Sequence, residues 1–109
     1  MAARVSPGTE WGLRFSASAA KGWEELWRVA PGNARWAWLT IRHVPAPLAE
    51  SARHHRLHDT LATGTVRGRV LEHWQIAVTA AVRVWYFVDP GTHTVWIDHV
   101  GPGHQDYLA

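Results

Sequence analysis

Apolar and polar side chains alternate at Trp11-Gly-Leu-Arg-Phe15, after an opening stretch without periodicity, and such alternation is typical of a short strand. Ser16 or Ser18 can cap a helix directly after it, because the next apolar residues recur at spacings of three and four. These residues are Ala19, Trp23, Leu26, Trp27 and Ala30. Pro31-Gly32 is expected to end this helix.

A second helix is predicted to begin near Asn33, whose side chain can serve as its N-cap. Pro45 and Pro47 close the element, because a proline ring cannot continue a helix. The residues expected to share one face of this helix are Trp36, Leu39, Thr40 and His43. The first half of the chain therefore predicts a strand followed by a helical hairpin.

The pattern from Leu48 to Thr65 is irregular and polar. Within it, His54-His55-Arg56-Leu57 is a candidate edge strand that leads into a flexible Gly-Thr loop.

Strand periodicity is strongest in the second half of the chain. Turn residues at Thr79-Ala80-Ala81 and Asp89-Pro-Gly91 separate three apolar segments, which predicts three consecutive antiparallel strands. These segments are Val66–Val78, Val82–Val88 and Thr94–Ile97. The tail from about Gly101 lacks periodicity and is expected to be mobile.

A chain of 109 residues suits one domain with one core. We expect a flexible arm at 1–10 and a single domain at 11–109. Its 47% hydrophobic and 18% charged residues are far from the composition of disordered chains. The predicted fold class is α+β, with a short N-terminal strand, a helical hairpin on one sheet face and a C-terminal antiparallel sheet.

Composition excludes several kinds of chemistry. With no Cys, the chain has no disulfide, no thiolate nucleophile and no Cys-based zinc site. Met1 to Gly12 lacks the apolar run of a signal peptide, and no segment is long and apolar enough to span a membrane, so a cytoplasmic location is expected. The net charge of +2 comes almost entirely from Arg, with Lys21 the single Lys, and by itself it leaves a nucleic-acid partner undecided.

The segment Trp74-Gln-Ile-Ala-Val-Thr-Ala-Ala-Val-Arg-Val-Trp-Tyr86 resembles the two sheet strands of the RelE/ParE toxin superfamily, with Arg83 and Tyr86 at the positions of that family's strand Arg and Tyr. Arg56-Leu57 is similar to the basic-Leu step before the central hairpin, and Val100-Gly-Pro-Gly-His104 resembles the C-terminal segment with its active-site basic residue. The resemblance covers roughly residues 11 to 107. It implies the toxin of a type II toxin–antitoxin pair, with a cognate antitoxin as partner.

The activity that the resemblance implies first is a metal-independent endoribonuclease, an mRNA interferase that blocks translation by acting on mRNA at the ribosome. Ile76-Ala-Val-Thr79, however, lacks the basic residue that RelE-type nucleases usually carry before the turn, and the second half contains no Lys. A ParE-type inhibitor of DNA gyrase and a non-toxic binding module of the same fold therefore stay open as alternatives.

Cleavage of RNA needs a base for the 2′-hydroxyl, a cation for the charged phosphorane and an acid for the leaving oxygen. Strand alternation places Arg83 with Trp85 and Phe87, opposite the Val residues, so its guanidinium could hold a phosphate in an exposed concavity. The alternative is an Arg83 that pairs with Asp89 or Asp98 and supports the fold. His104 and Tyr107 are the candidate acid and base.

The candidate nucleic-acid-binding residues are Arg56, Arg67, Arg69 and Trp85. Trp85, with Phe87 and Trp96, could stack on bases or form an apolar strip that a partner covers. The cluster His54-His55-x-x-His58 has metal-ligand residue types, but it lacks further ligands and a second shell, so neither a metal nor a cofactor is expected.

Overall fold

The computed structural model describes residues 10–103. Its helices and strands follow the predicted order, and one short 3₁₀ turn lies at Asp59–Leu61. The elements are β1 (Gly12–Phe15), α1 (Ala17–Val29), α2 (Pro31–His43), β2 (His54–Arg56), β3 (Thr63–Val66), β4 (Arg69–Ala77), β5 (Arg83–Asp89) and β6 (Thr94–Gly101).

The two helices follow one another almost without a connection. Ser16 caps α1, and its Oγ accepts the Ala19 N–H at 3.1 Å. Pro31 occupies the first turn of α2, where its missing N–H costs nothing, so it begins the second helix as well as ending the first. The prediction that Asn33 caps α2 is wrong: Asn33 lies inside the helix, and its Nδ2 donates to the Val78 carbonyl at 3.2 Å.

The residues predicted to share one face of α2 do share one, but that face is turned largely to solvent, and the opposite residues are buried. Ala34, Ala37 and Ile41 are fully buried, whereas Trp36 and Leu39 are 37% and 41% exposed. Small alanine side chains let the helix approach its neighbours closely, so the larger residues are left on the outside.

All six strands form one sheet in the order β1-β6-β5-β4-β2, and β3 also pairs with β4. β1 runs parallel to β6, while the other pairs are antiparallel. The predicted edge strand at His54 and the three consecutive antiparallel strands of the second half are confirmed. The turn between β4 and β5 is closed by a hydrogen bond from the Val78 N–H to the Val82 carbonyl at 2.9 Å.

The predicted Gly-Thr loop is instead the strand β3. It pairs with β4 across a two-residue turn, Arg67-Gly68, in which both residues have positive φ (52° and 81°), as a type I′ hairpin requires. Gly64 lies against Phe87: a Cβ at position 64 would fall 2.5 Å from the Phe87 ring. The irregular sequence concealed a strand because a glycine was needed where β3 meets an aromatic ring.

The helices cover one face of the sheet. Val84, Tyr86 and Val88 of β5 point into the apolar core between the sheet and the helices, as the alternation in the sequence predicted. Arg83, Trp85 and Phe87 lie on the opposite side, which we call the open face. No helix within residues 10–103 has the length and apolar character to cross a membrane.

Candidate functional site

A cavity of about 520 Å³ occupies the end of the open face where β4 turns into β5. We call it the Arg83 pocket. Its polar lining residues are His55, Gln75 and Arg83; its other lining residues are Leu57, Leu61, Ala80, Ala81, Trp85, Pro102 and Gly103. The predicted position of Arg83 in a concavity opposite the Val residues is therefore correct.

The turn between β4 and β5 holds the Arg83 side chain in place. Arg83 Nη1 donates to the Thr79 carbonyl at 2.8 Å and lies 3.4 Å from the Ala80 and Val82 carbonyls. The Thr79 Oγ1 in turn accepts the Ala81 N–H at 3.1 Å and the Val82 N–H at 3.0 Å, which stiffens the turn.

No carboxylate within the described segment, 10–103, forms an ion pair with Arg83. The alternative in which Arg83 pairs with Asp89 or Asp98 is therefore wrong: Asp89 pairs with Arg69, and Asp98 contacts His73. All hydrogen bonds of Arg83 to described residues use Nη1. Its Nε and Nη2 edge is therefore suited to a bidentate contact with phosphate oxygens.

Gly103 packs against the aliphatic part of Arg83. A Cβ at position 103 would fall 2.5 Å from the Arg83 Cγ, so a glycine is needed for this approach. This contact restricts the movement of the Arg83 side chain on the side that faces the pocket. His104 and Tyr107, the predicted acid and base, lie outside the described residues.

His55 enters the pocket from β2 as a group that the sequence did not single out for catalysis. A chain of hydrogen bonds orients its ring: Trp85 Nε1 donates to Gln75 Oε1 at 2.7 Å, and Gln75 Nε2 lies 3.3 Å from His55 Nε2. His55 Nδ1 lies 2.9 Å from the Arg56 carbonyl and must donate to it. The neutral ring therefore carries its proton on Nδ1, and its Nε2 lone pair accepts the Gln75 amide N–H. A 2′-hydroxyl that displaced this amide would meet the lone pair that a general base needs.

Strand alternation separates the two adjacent histidines. His55 faces the pocket, whereas His54 points to the core, where its Nε2 lies 2.5 Å from the Tyr86 Oη. The period of two within the predicted edge strand was the signal that could have distinguished them. Among the described residues, no three His, Cys, Asp or Glu side chains are placed to hold a metal ion.

His54 and Tyr86 form a buried polar pair beneath the sheet. Tyr86 is fully buried, and its hydroxyl donates to the Pro45 carbonyl at 2.7 Å. Burial raises the pKa of the Tyr86 phenol far above its ordinary value. Burial also lowers the pKa of His54, with nearby His55 acting in the same direction and the Pro45 carbonyl opposing it. Tyr86, although at the family's strand position, therefore has no access to the pocket.

His73 lies under the pocket floor. Its Nδ1 lies 2.9 Å from the Leu61 carbonyl, and its Nε2 lies 3.1 Å from Asp98 Oδ1. The ring stacks on Phe87, with 4.0 Å between centroids, and meets the edge of Trp85. These contacts fix Trp85, which lines the pocket and donates its indole N–H to Gln75.

The expectation that Trp85 is an exposed stacking surface is wrong. Its side chain is 4% exposed and is held by the hydrogen bond to Gln75 and by contact with the His73 ring. Hydrophobicity alone could not distinguish an open strip from a filled one, because burial on this face depends on segments remote in sequence.

The predicted nucleic-acid-binding arginines differ in their surroundings. Arg56 contacts Glu72 at 3.7 Å and the Ala62 carbonyl at 3.4 Å, and Arg69 forms an ion pair with the buried Asp89. Burial would raise the pKa of Asp89, but hydrogen bonds from Thr92 and Trp96 and the charge of Arg69 outweigh it and hold that pKa below its ordinary value. Arg67, at the tip of the β3–β4 hairpin, lies over the Trp96 ring with no carboxylate partner among residues 10–103.

A basic residue does reach the β4–β5 turn, although from a remote segment. Arg53 Nε donates to the Ala77 carbonyl at 2.8 Å, its Nη2 donates to the Val78 carbonyl at 3.1 Å, and its guanidinium stacks 3.9 Å above the Trp36 ring. The turn that lacks a basic residue in the local sequence is therefore flanked by Arg53 on one side and Arg83 on the other.

A short strand, a helical hairpin and a mixed, mostly antiparallel six-stranded sheet with a pocket on its open face define the α+β fold of the RelE type. The chain is similar to YoeB from Staphylococcus aureus, whose structure is that of a dimer, with a TM-score of 0.63 and 13% sequence identity over 87% of this chain and 99% of that one. No protein-family model matches the sequence, and no curated protein matches it. The resemblance inferred from Trp74–Tyr86 is thus confirmed at the level of the fold.

Proposed function

We propose that this protein is the toxin of a type II toxin–antitoxin pair and acts in the cytoplasm as a metal-independent endoribonuclease on mRNA at the ribosome. One observation carries the proposal: Arg83, whose Nε and Nη2 have no hydrogen-bond partner among the described residues, and His55, whose Nε2 accepts only the Gln75 amide, line the same pocket. The fold likeness to YoeB, a RelE-family type II toxin, supports it.

The reaction that fits these groups is an internal transesterification. The substrate's 2′-hydroxyl displaces the Gln75 amide from His55 Nε2, which then takes the hydroxyl proton. The 2′-oxygen attacks the adjacent phosphorus, and the 5′-oxygen of the next nucleotide leaves with a proton from an acid. The products are a 2′,3′-cyclic phosphate and a 5′-hydroxyl end. Arg83 stabilises the charge that develops on the phosphorane, and His104 or Tyr107 is the proposed acid.

Induced expression of the wild-type chain is expected to arrest growth and to yield mRNA fragments with 5′-hydroxyl ends. Arg83→Gln and His55→Gln should each lower the cleavage rate by about 100-fold or more, the usual effect of removing a charge-stabilising donor or a general base. Arg35→Gln is the matched control, because Arg35 is exposed on α2, away from the pocket. Thermal unfolding of each variant checks that the fold is intact.

Inhibition of DNA gyrase is the alternative activity, and it predicts DNA breaks with intact transcripts. The argument for gyrase inhibition was the lack of a basic residue before the turn in the local sequence. Arg53 weakens that argument, because it supplies a guanidinium at this turn from another segment. A supercoiling assay with purified gyrase separates the two activities. Expression without growth arrest, cleavage or gyrase inhibition would instead favour a non-toxic binding module.

A cognate antitoxin is the proposed protein partner. The net charge of +2 attracts an acidic segment, and a segment that lies over the Arg83 pocket would neutralise Arg83 and exclude RNA.

A further inference from the structure

A second cleft, of about 490 Å³, lies at the other end of the open face. We call it the Trp96 cleft. Arg14 of β1, Trp96 of β6 and Arg67 at the tip of the β3–β4 hairpin are the side chains that give it its chemistry. Trp96 pairs with Phe87, which lies four residues along β5 from Arg83, so Trp96 and Arg83 are about 13 Å apart along the strand direction at 3.3 Å per residue. The cleft also lies on the neighbouring strands β6 and β1.

The register of the sheet places Arg14 beside Trp96. The two residues are paired across the parallel strands β1 and β6, so their side chains leave the same face of the sheet. Leu13 and Phe15, which flank Arg14, pack against the core and confirm that Arg14 points to the open face. The indole is anchored by its N–H, which lies 3.3 Å from Asp89 Oδ2.

Arg67 approaches the same ring from the opposite element. Its guanidinium carbon lies 5.1 Å from the Trp96 ring centroid, a cation–π contact. The side chain is exposed and stands on a hairpin tip, so its guanidinium can move aside with little loss of packing. Neither Arg14 nor Arg67 forms an ion pair with any carboxylate in the described part of the chain, and the charge of nearby Asp89 is compensated by Arg69.

A half-buried indole between two arginines without ion-pair partners is suited to bind one nucleotide of a single-stranded nucleic acid. The face of the ring accepts an unpaired base, and the guanidinium groups accept the phosphates on either side of it. A base that stacks on Trp96 takes the place of Arg67, which then contacts a phosphate. An acidic peptide could pair with the arginines, but it carries no flat ring to use the indole face.

We propose that the Trp96 cleft is a second RNA subsite, which binds a nucleotide of single-stranded RNA at a distance from the cleavage point in the Arg83 pocket. The subsite rests on the proposed function, because it takes RNA to be the substrate. It lengthens the footprint of the protein on RNA and adds affinity without taking part in the chemistry.

The test is the binding of a fluorescent 2′-O-methyl RNA dodecamer, which cannot be cleaved because its 2′-oxygen is blocked. Arg14→Gln with Arg67→Gln should weaken binding about tenfold and lower the slope of log K against log salt by about 1.4, since each phosphate contact on a single strand contributes about 0.7. The matched control is Lys21→Gln with Arg35→Gln, which removes two exposed charges from the helices and should change neither quantity much.

Further ligands distinguish a nucleotide subsite from a general anion site. An abasic dodecamer with the same backbone should bind the wild type more weakly than the RNA does, because no base stacks on Trp96. Equal binding of the abasic and normal strands would overturn the subsite. So would a loss of poly-glutamate binding in the Arg14/Arg67 variant as large as its loss of RNA binding, because the cleft would then serve an acidic chain.

The variant Arg83→Gln separates this inference from the proposed function. If Arg83→Gln weakens RNA binding while the Arg14/Arg67 variant binds like its control, the proposed function stands and the second subsite is overturned. If only the Arg14/Arg67 variant loses affinity, the subsite stands and the role of the Arg83 pocket is in doubt. A wild-type chain that binds no RNA overturns both.

Discussion

Tyr86 places a polar hydroxyl in the middle of an apolar core, and two hydrogen-bond partners satisfy that hydroxyl. The hydroxyl is fully buried, donates to the Pro45 carbonyl at 2.7 Å and contacts His54 Nε2 at 2.5 Å. It therefore ties the segment after α2 and the edge strand β2 to the central strand β5. A buried group of this kind stabilises a fold mainly because its partners would be left unsatisfied without it.

Tyr86→Phe is expected to lower the free energy of unfolding by about 1–3 kcal/mol, because the Pro45 carbonyl and the His54 ring lose their partner in the core. Denaturant unfolding measures this loss. Thr65→Val is the control: it removes an exposed hydroxyl from a strand and should change stability by no more than about 0.5 kcal/mol. Equal stability of the two variants would contradict a structural role for the hydroxyl.

The burial of His54 leads us to expect that the folded protein loses stability in mild acid. Burial lowers its pKa in the folded state, so its contribution is fully present above the unfolded value of about 6.5. As the pH falls below 6.5, the unfolded chain binds a proton at this position that the folded chain excludes, and stability decreases. His54→Gln should therefore flatten the decrease between pH 6.5 and 5, measured by denaturant unfolding. His58→Gln, at an exposed position, should not; the same slope in both variants would argue against His54 as the cause.

At the scale of elements, α1 lies directly on β6 because a glycine stands at the contact. A Cβ at Gly22 would fall 2.1 Å from the Val100 carbonyl oxygen, which is closer than any real contact allows. Gly32 in α2 has nothing within 4 Å of the corresponding position. The two glycines therefore serve different purposes, although both lie in helices.

Gly22→Ala is expected to destabilise the protein by about 1–3 kcal/mol or more, because α1 must move away from β6 to admit the methyl group. Gly32→Ala should stabilise it by up to about 1 kcal/mol, the ordinary gain in helix propensity. The same substitution thus changes sign between the two helices. Thermal or denaturant unfolding gives both values, and a stabilising Gly22→Ala would show that the contact is looser than described.

The hairpin of β3 and β4 decides which parts of the open face are accessible. Gly64 of β3 contacts the Phe87 ring, and no residue of β3 lines the Arg83 pocket, whereas β4 continues to Gln75 in the pocket wall. Two contacts hold the tip of the hairpin: Arg69, directly after the turn, forms an ion pair with Asp89, and Arg67, within the turn, lies over Trp96. One short element therefore divides the open face into two clefts.

At the scale of the whole molecule, the helices and the open face lie on opposite sides of one sheet, so a partner can cover the pocket without disturbing the core. For the proposed antitoxin we expect a disordered acidic segment that orders on the open face and buries on the order of 1,000–3,000 Å². Hydrogen exchange should then slow in the turn at 79–82 and around Gly103. Protection confined to the outer surface of the helices would mean that neutralisation acts through conformation and not by covering Arg83.

Much of the fold followed from the sequence because its signals are local. The period of two in Val82–Val88 separated Arg83 from Val84 without knowledge of any neighbour, and the cap at Ser16 with apolar spacings of three and four located α1. The same reasoning failed at the start of α2, where Asn33 was predicted as the cap but lies inside the helix. It also failed at β3, where a glycine concealed a strand.

The sequence by itself determined the order of the elements and the face on which Arg83 lies, because both depend on backbone periodicity within a few residues. Only the tertiary structure decided that Trp85 is buried, that His55 and not His54 faces the pocket, and that Arg53 reaches the β4–β5 turn. Each of these facts depends on contacts between residues 10 to 25 positions apart in the sequence. Such contacts are set by the packing and register of the whole sheet, which no local pattern encodes.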